Sequence, residues 1–249
     1  MTKYTISQAF SIRFPFNIWK IVADSHSQLL GVELRNPDNS LPVVQSFDFR
    51  GNIILENLQL EPKEWTLDAV RKELLVFKKV GEHMPVAAGV LLTDHNGQEL
   101  FCSHEYILLE TAANYISLRH RSFQAGFESY MDFEQLQLSS TPPSPKAEEA
   151  TALVLPEVYQ GELPAYLRAV TIVDQLWLSR WEEKWLWTYH SQENNSYHLN
   201  LCIADRSNII YEQCLLQAMP KMIPQPYFQI ANQIFLLSYN KQEIVSYLL

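Results

Sequence analysis

Glycine is scarce in this chain, seven among 249 residues, and cysteine scarcer still, with three. Cys102, Cys202 and Cys214 are an odd set without CxxC spacing, which argues against a disulfide framework and against a cysteine-built zinc site. The few glycines form no GxGxxG and no P-loop, and no serine sits in a GxSxG turn, so no phosphate cradle and no nucleophile elbow is encoded locally. The seven histidines make neither HxH nor HExxH. No apolar run reaches the roughly 18 residues of a membrane span, and residues 1–10 lack the apolar core of a signal peptide. Positive charge is also in short supply. With 28 acidic against 19 basic residues, the net charge of -9 repels phosphate backbones and anionic lipid. These shortages lead us to expect a monomeric cytoplasmic protein without metal or cofactor, whose partner is a protein or a small ligand rather than nucleic acid or membrane.

What the chain does have is a recurring phrase: an apolar strand ending in Asp, a short polar turn, then a second apolar strand. It reads Ser46-Phe47-Asp48-Phe49-Arg50-Gly51-Asn52-Ile53-Ile54 and again Leu92-Thr93-Asp94-His95-Asn96-Gly97-Gln98-Glu99-Leu100-Phe101. Fainter copies lie around Asp132 and Asp205. A repeat with a period of a few tens of residues marks units that bury their faces against one another. Short apolar runs such as Leu74-Leu75-Val76-Phe77 and Leu199-Asn200-Leu201-Cys202-Ile203, bounded by polar turn clusters, favour strands over helices.

Grouped by the repeated turn, the strands fall into sets of four. They run Ile18 to Leu58, Trp65 to Ser103, Tyr106 to Leu138 and Leu176 to Leu215, with Val86 to Asp94 and Gly126 to Asp132 as the third strands of the second and third sets, and only three strands remain between Tyr227 and Leu249. The alternating segment Tyr4 to Arg13 supplies the missing strand. The expected fold is therefore all-β and propeller-like, with about five four-stranded blades, the N-terminal strand closing the last, in one domain over 1–249; the alternative is a large sandwich. The aspartates are spaced by 46 residues from 48 to 94, by 38 from 94 to 132, and by 73 from 132 to 205. The excess falls in an excursion at about 139–174. Its proline-rich start, 139–152, predicts the first site of proteolysis, and Glu162 to Val170 predicts a helix with Pro164 in its first turn.

The Leu92 to Phe101 turn resembles the strand-turn-strand of quinoprotein-type propeller repeats, which commonly end in Trp where Phe101 stands. From Phe16-Asn17-Ile18-Trp19-Lys20-Ile21 through Glu64-Trp65 and Leu155-Pro156-Glu157-Val158-Tyr159 to Ile244-Val245-Ser246-Tyr247, the chain is similar to a bacterial domain family of unknown function. That likeness implies a fold and no activity.

The densest aromatic stretch, Trp177 to His190, alternates so that Trp185, Trp187 and Tyr189 share one strand face, which suits core packing between sheets. His95, in a turn, is expected to be exposed. The basic runs Arg71-Lys72 with Lys78-Lys79 and Arg119-His120-Arg121 are expected to be solvated faces. Among innermost strands, the ligand-binding candidates are Lys20, Trp65, Asp68, Glu110, Trp177, Arg180 and Tyr227. The innermost strand residues as a whole, 19–20, 65–68, 108–110, 177–180 and 227–229, include few ionisable groups, which favours a non-catalytic binding or scaffold module acting through a propeller face. An enzyme with its site at a central channel is the alternative, and a polar cluster of Lys20, Asp68, Glu110 and Arg180 would be its mark.

Overall fold

The computed structural model describes residues 4–81, 88–144 and 153–249. The chain forms two compact units, one of residues 16–150 and one of residues 1–15 with 151–249. The described strands, in chain order, begin with β1 (Ser7–Arg13). The first unit then carries β2 (Asn17–Asp24), β3 (Leu29–Arg35), β4 (Pro42–Asp48), β5 (Ile53–Gln59), β6 (Trp65–Val70), β7 (Leu75–Lys79), β8 (Val90–Thr93), β9 (Glu99–Ser103), β10 (Tyr106–Thr111), β11 (Tyr115–His120), β12 (Glu128–Asp132) and β13 (Leu138–Ser139). They make three antiparallel meanders, β2 to β5, β6 to β9 and β10 to β13, each paired in sequence order. Meanders of this kind are the blade pattern of a propeller; a Greek-key sandwich would exchange strands between sheets.

Each meander buries its faces as the sequence alternation directs. Between the first two sheets of this unit lie Val44, Leu55, Trp65, Leu67, Leu75 and Phe77. Between the second and third lie Leu74, Val76, Leu92, Leu108, Ile116 and Met131. Gly31 sits where β3 passes close to β6: a Cβ there would come to 3.0 Å of the Leu67 and Val22 side chains and would force them to shift.

The repeated aspartate has one structural meaning. It closes the turn into the last strand of its sheet by accepting backbone amides through Oδ1. Asp48 takes Arg50 N and Asn52 N, both at 2.9 Å. Asp94 takes Asn96 N at 2.9 Å and Gln98 N at 2.8 Å, Asp132 takes Glu134 N at 2.8 Å, and Asp205 takes Ser207 N at 2.7 Å and Asn208 N at 2.8 Å. Gly97, at φ 81°, makes the left-handed step that the Asp94 turn needs.

In the second unit, β14 (Leu153–Val154) and β15 (Glu157–Val158) precede a single 3-10 turn at Ala165–Leu167. There follow β16 (Val173–Trp181), β17 (Lys184–Glu193), β18 (Ser196–Ala204), β19 (Ile209–Met219), β20 (Phe228–Ile230), β21 (Gln233–Leu237) and β22 (Glu243–Leu248). One sheet is β15-β16-β17-β18-β19 and the other β1-β22-β21-β20-β14. The N-terminal strand thus completes the C-terminal sheet, as its alternation predicts, with Ser7 opposite Leu248 and Arg13 opposite Glu243. Leu186, Leu199, Leu201, Ile203, Ile234, Leu236 and Tyr247 fill a core that also takes Ile6.

Three expectations are corrected. The segment 162–170 is not a helix: Pro164 is extended, at ψ 144°, and only Ala165–Leu167 turn. The excursion also gives each sheet of this unit a fifth strand, because β14 and β15 pair with β20 and β16. The third sheet's third strand starts at Glu128 and not at Gly126, since Gly126 and Phe127 both have positive φ. Most of the proline-rich segment 139–152, where first proteolysis is expected, and the start of the strand expected from Val86 lie outside the described residues.

Two outcomes follow from this architecture. Deleting residues 1–14 strips β1 from β22 and removes the buried Ile6, Phe10 and Phe14 side chains. The loss should be on the order of 5 kcal/mol, read as a large drop in melting temperature. Acid should weaken the turns. Amides hold the carboxyls of Asp94 and Asp205 below their ordinary 3.8, and at Asp48 burial pushes up but the Asn52 and Arg50 donors outweigh it. A depressed folded value adds stability above the ordinary value and loses it as pH falls. Melting temperature should therefore hold between about pH 5 and 7 and fall steeply below about pH 4.

Candidate functional site

The first strands of the three sheets in residues 16–150 carry a polar row. Asp68, on β6, accepts the Thr111 hydroxyl of β10 at 2.8 Å and pairs with the Lys78 ammonium of β7 at 2.7 Å. Burial tends to raise its pKa, but Lys78 and Thr111 more than reverse that and hold the carboxyl below its ordinary value. Lys20, on β2, faces the same group. Burial lowers its pKa and the Asp68 charge partly restores it.

Behind this row lies a buried charge. Glu33 on β3 is 0% exposed, and its Oε2 accepts Thr66 Oγ1 and Leu67 N of β6, each at 2.7 Å. Two residues on, and so on the same face, Arg35 supplies the ion pair. The Arg35 guanidinium also donates to the carbonyls of Ser40, Lys63 and Trp65, and lies 5.8 Å from the exposed Trp19 ring. Glu33 and Arg35 thereby clamp the first sheet to the opening strand of the second.

The remaining candidates are placed differently. Glu110 is exposed and outside the Lys20–Asp68 row. Trp65 is buried in the core, with the Lys79 ammonium 5.2 Å from its ring. In the second unit, Trp177 is buried edge-on to His190 at 5.4 Å, and Arg180 lies 3.9 Å over the Trp185 ring. Tyr227 is buried against Ser179 Oγ at 2.7 Å, and burial pushes its phenol up to about 12. Trp65, Trp177 and Tyr227 are therefore core side chains. The Trp185, Trp187 and Tyr189 face is packing material as well: Trp185 and Trp187 stack at 5.9 Å, and Trp187 and Tyr189 pack with Leu167 and Leu176.

Two exposure expectations are corrected by contacts. His95 is half-buried and bridges Ser46 Oγ at 3.2 Å to the Arg71 carbonyl at 2.9 Å, tying the Asp94 turn to two neighbours. Arg71 is not a solvated face, since its guanidinium caps the carbonyls of Val70 and Ala112 at 3.0 Å each.

At the end of the third sheet opposite its Asp132 turn lies an open hollow of about 890 Å³. Tyr106 begins β10, His120 ends β11, and the 121–127 loop brings Phe123 and Phe127 beside them. Rings follow one another from Tyr106 to His120 at 5.5 Å, to Phe123 at 6.0 Å and to Phe127 at 4.9 Å. Phe127 is 77% exposed and Phe123 43%. The backbone of Phe127 is left-handed, φ 51°, a state that costs a side chain of this size on the order of 1–3 kcal/mol. Tyr130, Glu128, Ser140 and Pro142 complete the lining, and the Tyr130 hydroxyl donates to Glu128 at 2.8 Å. Sequence reasoning missed this site because Phe127 reads as the start of a strand. The available signal was two phenylalanines in an otherwise polar loop beside Gly126.

Among the described residues, no group of three or more His, Cys, Asp or Glu is placed to hold a metal ion. No helix of the described residues is long and apolar enough to cross a membrane.

No protein-family model matches the chain, and no curated protein matches it. Among solved structures it is similar to the β-propeller domain of the Trilobed protease from Pyrococcus furiosus, described as having an open velcro topology. Identity is 9% and the TM-score 0.32, over 92% of this chain and 65% of that one. The chain thus spans just under two thirds of that structure's length, and the assignment of blades rests on the strand pairing rather than on this likeness.

The clamp gives the sharpest stability test. Glu33→Gln leaves the Arg35 guanidinium without its counter-charge and should cost about 3–5 kcal/mol in denaturant unfolding. Replacing both residues with Met should recover only part of the loss, because no charge is then stranded but the Leu67 amide and the carbonyls that Arg35 caps lose their partners.

Proposed function

We propose that this protein is a non-catalytic binding or scaffold module, and that it engages its partner through the aromatic hollow at the end of the β10 to β13 sheet. The observation that carries this reading is Phe127, a phenyl ring held out to solvent on a left-handed backbone, where glycine would relieve the strain. Folding gains nothing from that arrangement, whereas an aromatic anchor in a hollow is the usual centre of an interface. The enzyme reading draws on the Lys20, Asp68 and Lys78 row. There the carboxylate is already engaged by Lys78 and Thr111, which suits cross-sheet support better than proton transfer.

Phe127→Gly separates the roles of the residue. It should leave the fold intact and raise stability by up to about 1 kcal/mol by relieving the backbone. The immobilised variant should lose any partner that the wild-type protein retains from a cell extract. Retention of the same partner at the same yield by Phe127→Gly would refute the reading.

A further inference from the structure

We infer that the hollow between Tyr106, Phe123, Phe127 and Tyr130 takes a proline-rich peptide in the extended polyproline conformation, flanked by a basic residue. This deepens the binding reading above and rests on it. Polyproline segments are recognised by rows of aromatic rings that receive the pyrrolidine faces, and such a segment loses little entropy on docking because it is already extended. The row from Tyr106 through His120 and Phe123 to Phe127 supplies those rings over the open side of the hollow.

Pro142, from the run Thr141-Pro142-Pro143, lines the same hollow beside Ser140. The charge at the rim points to the flanking residue. Glu105 is answered by Arg121 and His120, each at 3.7 Å, while Glu128 meets the neutral Tyr130 hydroxyl. A lysine or arginine next to the prolines would reach the Glu128 carboxylate, and the -9 charge of the chain favours a basic ligand. A sugar is the competing ligand for an aromatic platform. Its polar partners would be the serines, Glu128 and the tyrosine hydroxyls of the same lining, so a saccharide probe belongs in the test.

The test is a titration of the full ¹⁵N-labelled protein with three probes: a synthetic peptide with prolines at every third position and one flanking arginine, the same peptide with that arginine changed to glutamate, and cellohexaose. The expected result is saturable shifts confined to residues 105–130 and 138–142. Affinity should weaken at least tenfold for Phe127→Gly and severalfold for the glutamate peptide, with no saturable response to cellohexaose. Absence of shifts with the first peptide, shifts elsewhere, or equal binding of both peptides would overturn the inference, as would saturation by cellohexaose. If the Phe127-dependent partner of the capture experiment persists while the peptide fails, only the peptide class falls. If neither depends on Phe127, the binding reading falls with it.

Discussion

A carboxylate with no exposure must be answered inside the protein, and the Glu33 side chain is that constraint in residues 16–150. Its partners, Thr66, the Leu67 amide and Arg35, are drawn from the strand that opens the next sheet and from its own strand two residues on. The clamp fixes where β6 begins relative to β3. Asp68 follows one residue after Leu67, at the register shift of β6 against β7, and meets Lys78 and Thr111 there.

The two ends of the third sheet do different work. At one end the turn is held by an aspartate that satisfies amides, and neighbouring turns are tied by His95 and Arg71 around a smaller hollow of about 310 Å³. At the other, the 121–127 loop keeps two phenyl rings in solvent with a left-handed Phe127, so this end carries exposure and strain that folding does not require. A sheet whose register is pinned at one end can hold an adaptable loop at the other without losing its pairing. That division gives the binding proposal its physical basis.

Much of this fold was legible in the sequence, for reasons that particular residues make plain. Asp48, Asp94, Asp132 and Asp205 marked the turns into the last strands of their sheets because an Asx turn needs its acceptor at a fixed place. The period-two pattern of residues 4–13 foretold a strand for the last sheet because its alternate side chains had no other face to fill. The helix expected at 162–170 failed because Pro164 stays extended and the surrounding segments are drawn into β14 and β15 by pairing with distant strands. Local composition does not register such pairing. The site was less legible. Lys20 and Asp68 lie on the first strands of two successive sheets, whereas Trp65, Trp177 and Tyr227 are buried in cores, since a large aromatic on a strand reads alike whether it faces a neighbouring sheet or a ligand. Phe127 escaped notice because its exposure depends on a positive φ that its side chain does not advertise.

The central claim is that the aromatic end of the third sheet, rather than its aspartate-turn end, meets the partner. The most direct measurement is photo-crosslinking in cells, with a photoreactive phenylalanine analogue placed at position 127 or at position 135 in the Asp132 turn. The account predicts a discrete adduct from position 127 and none from position 135. An adduct from position 135 with none from 127 would contradict it.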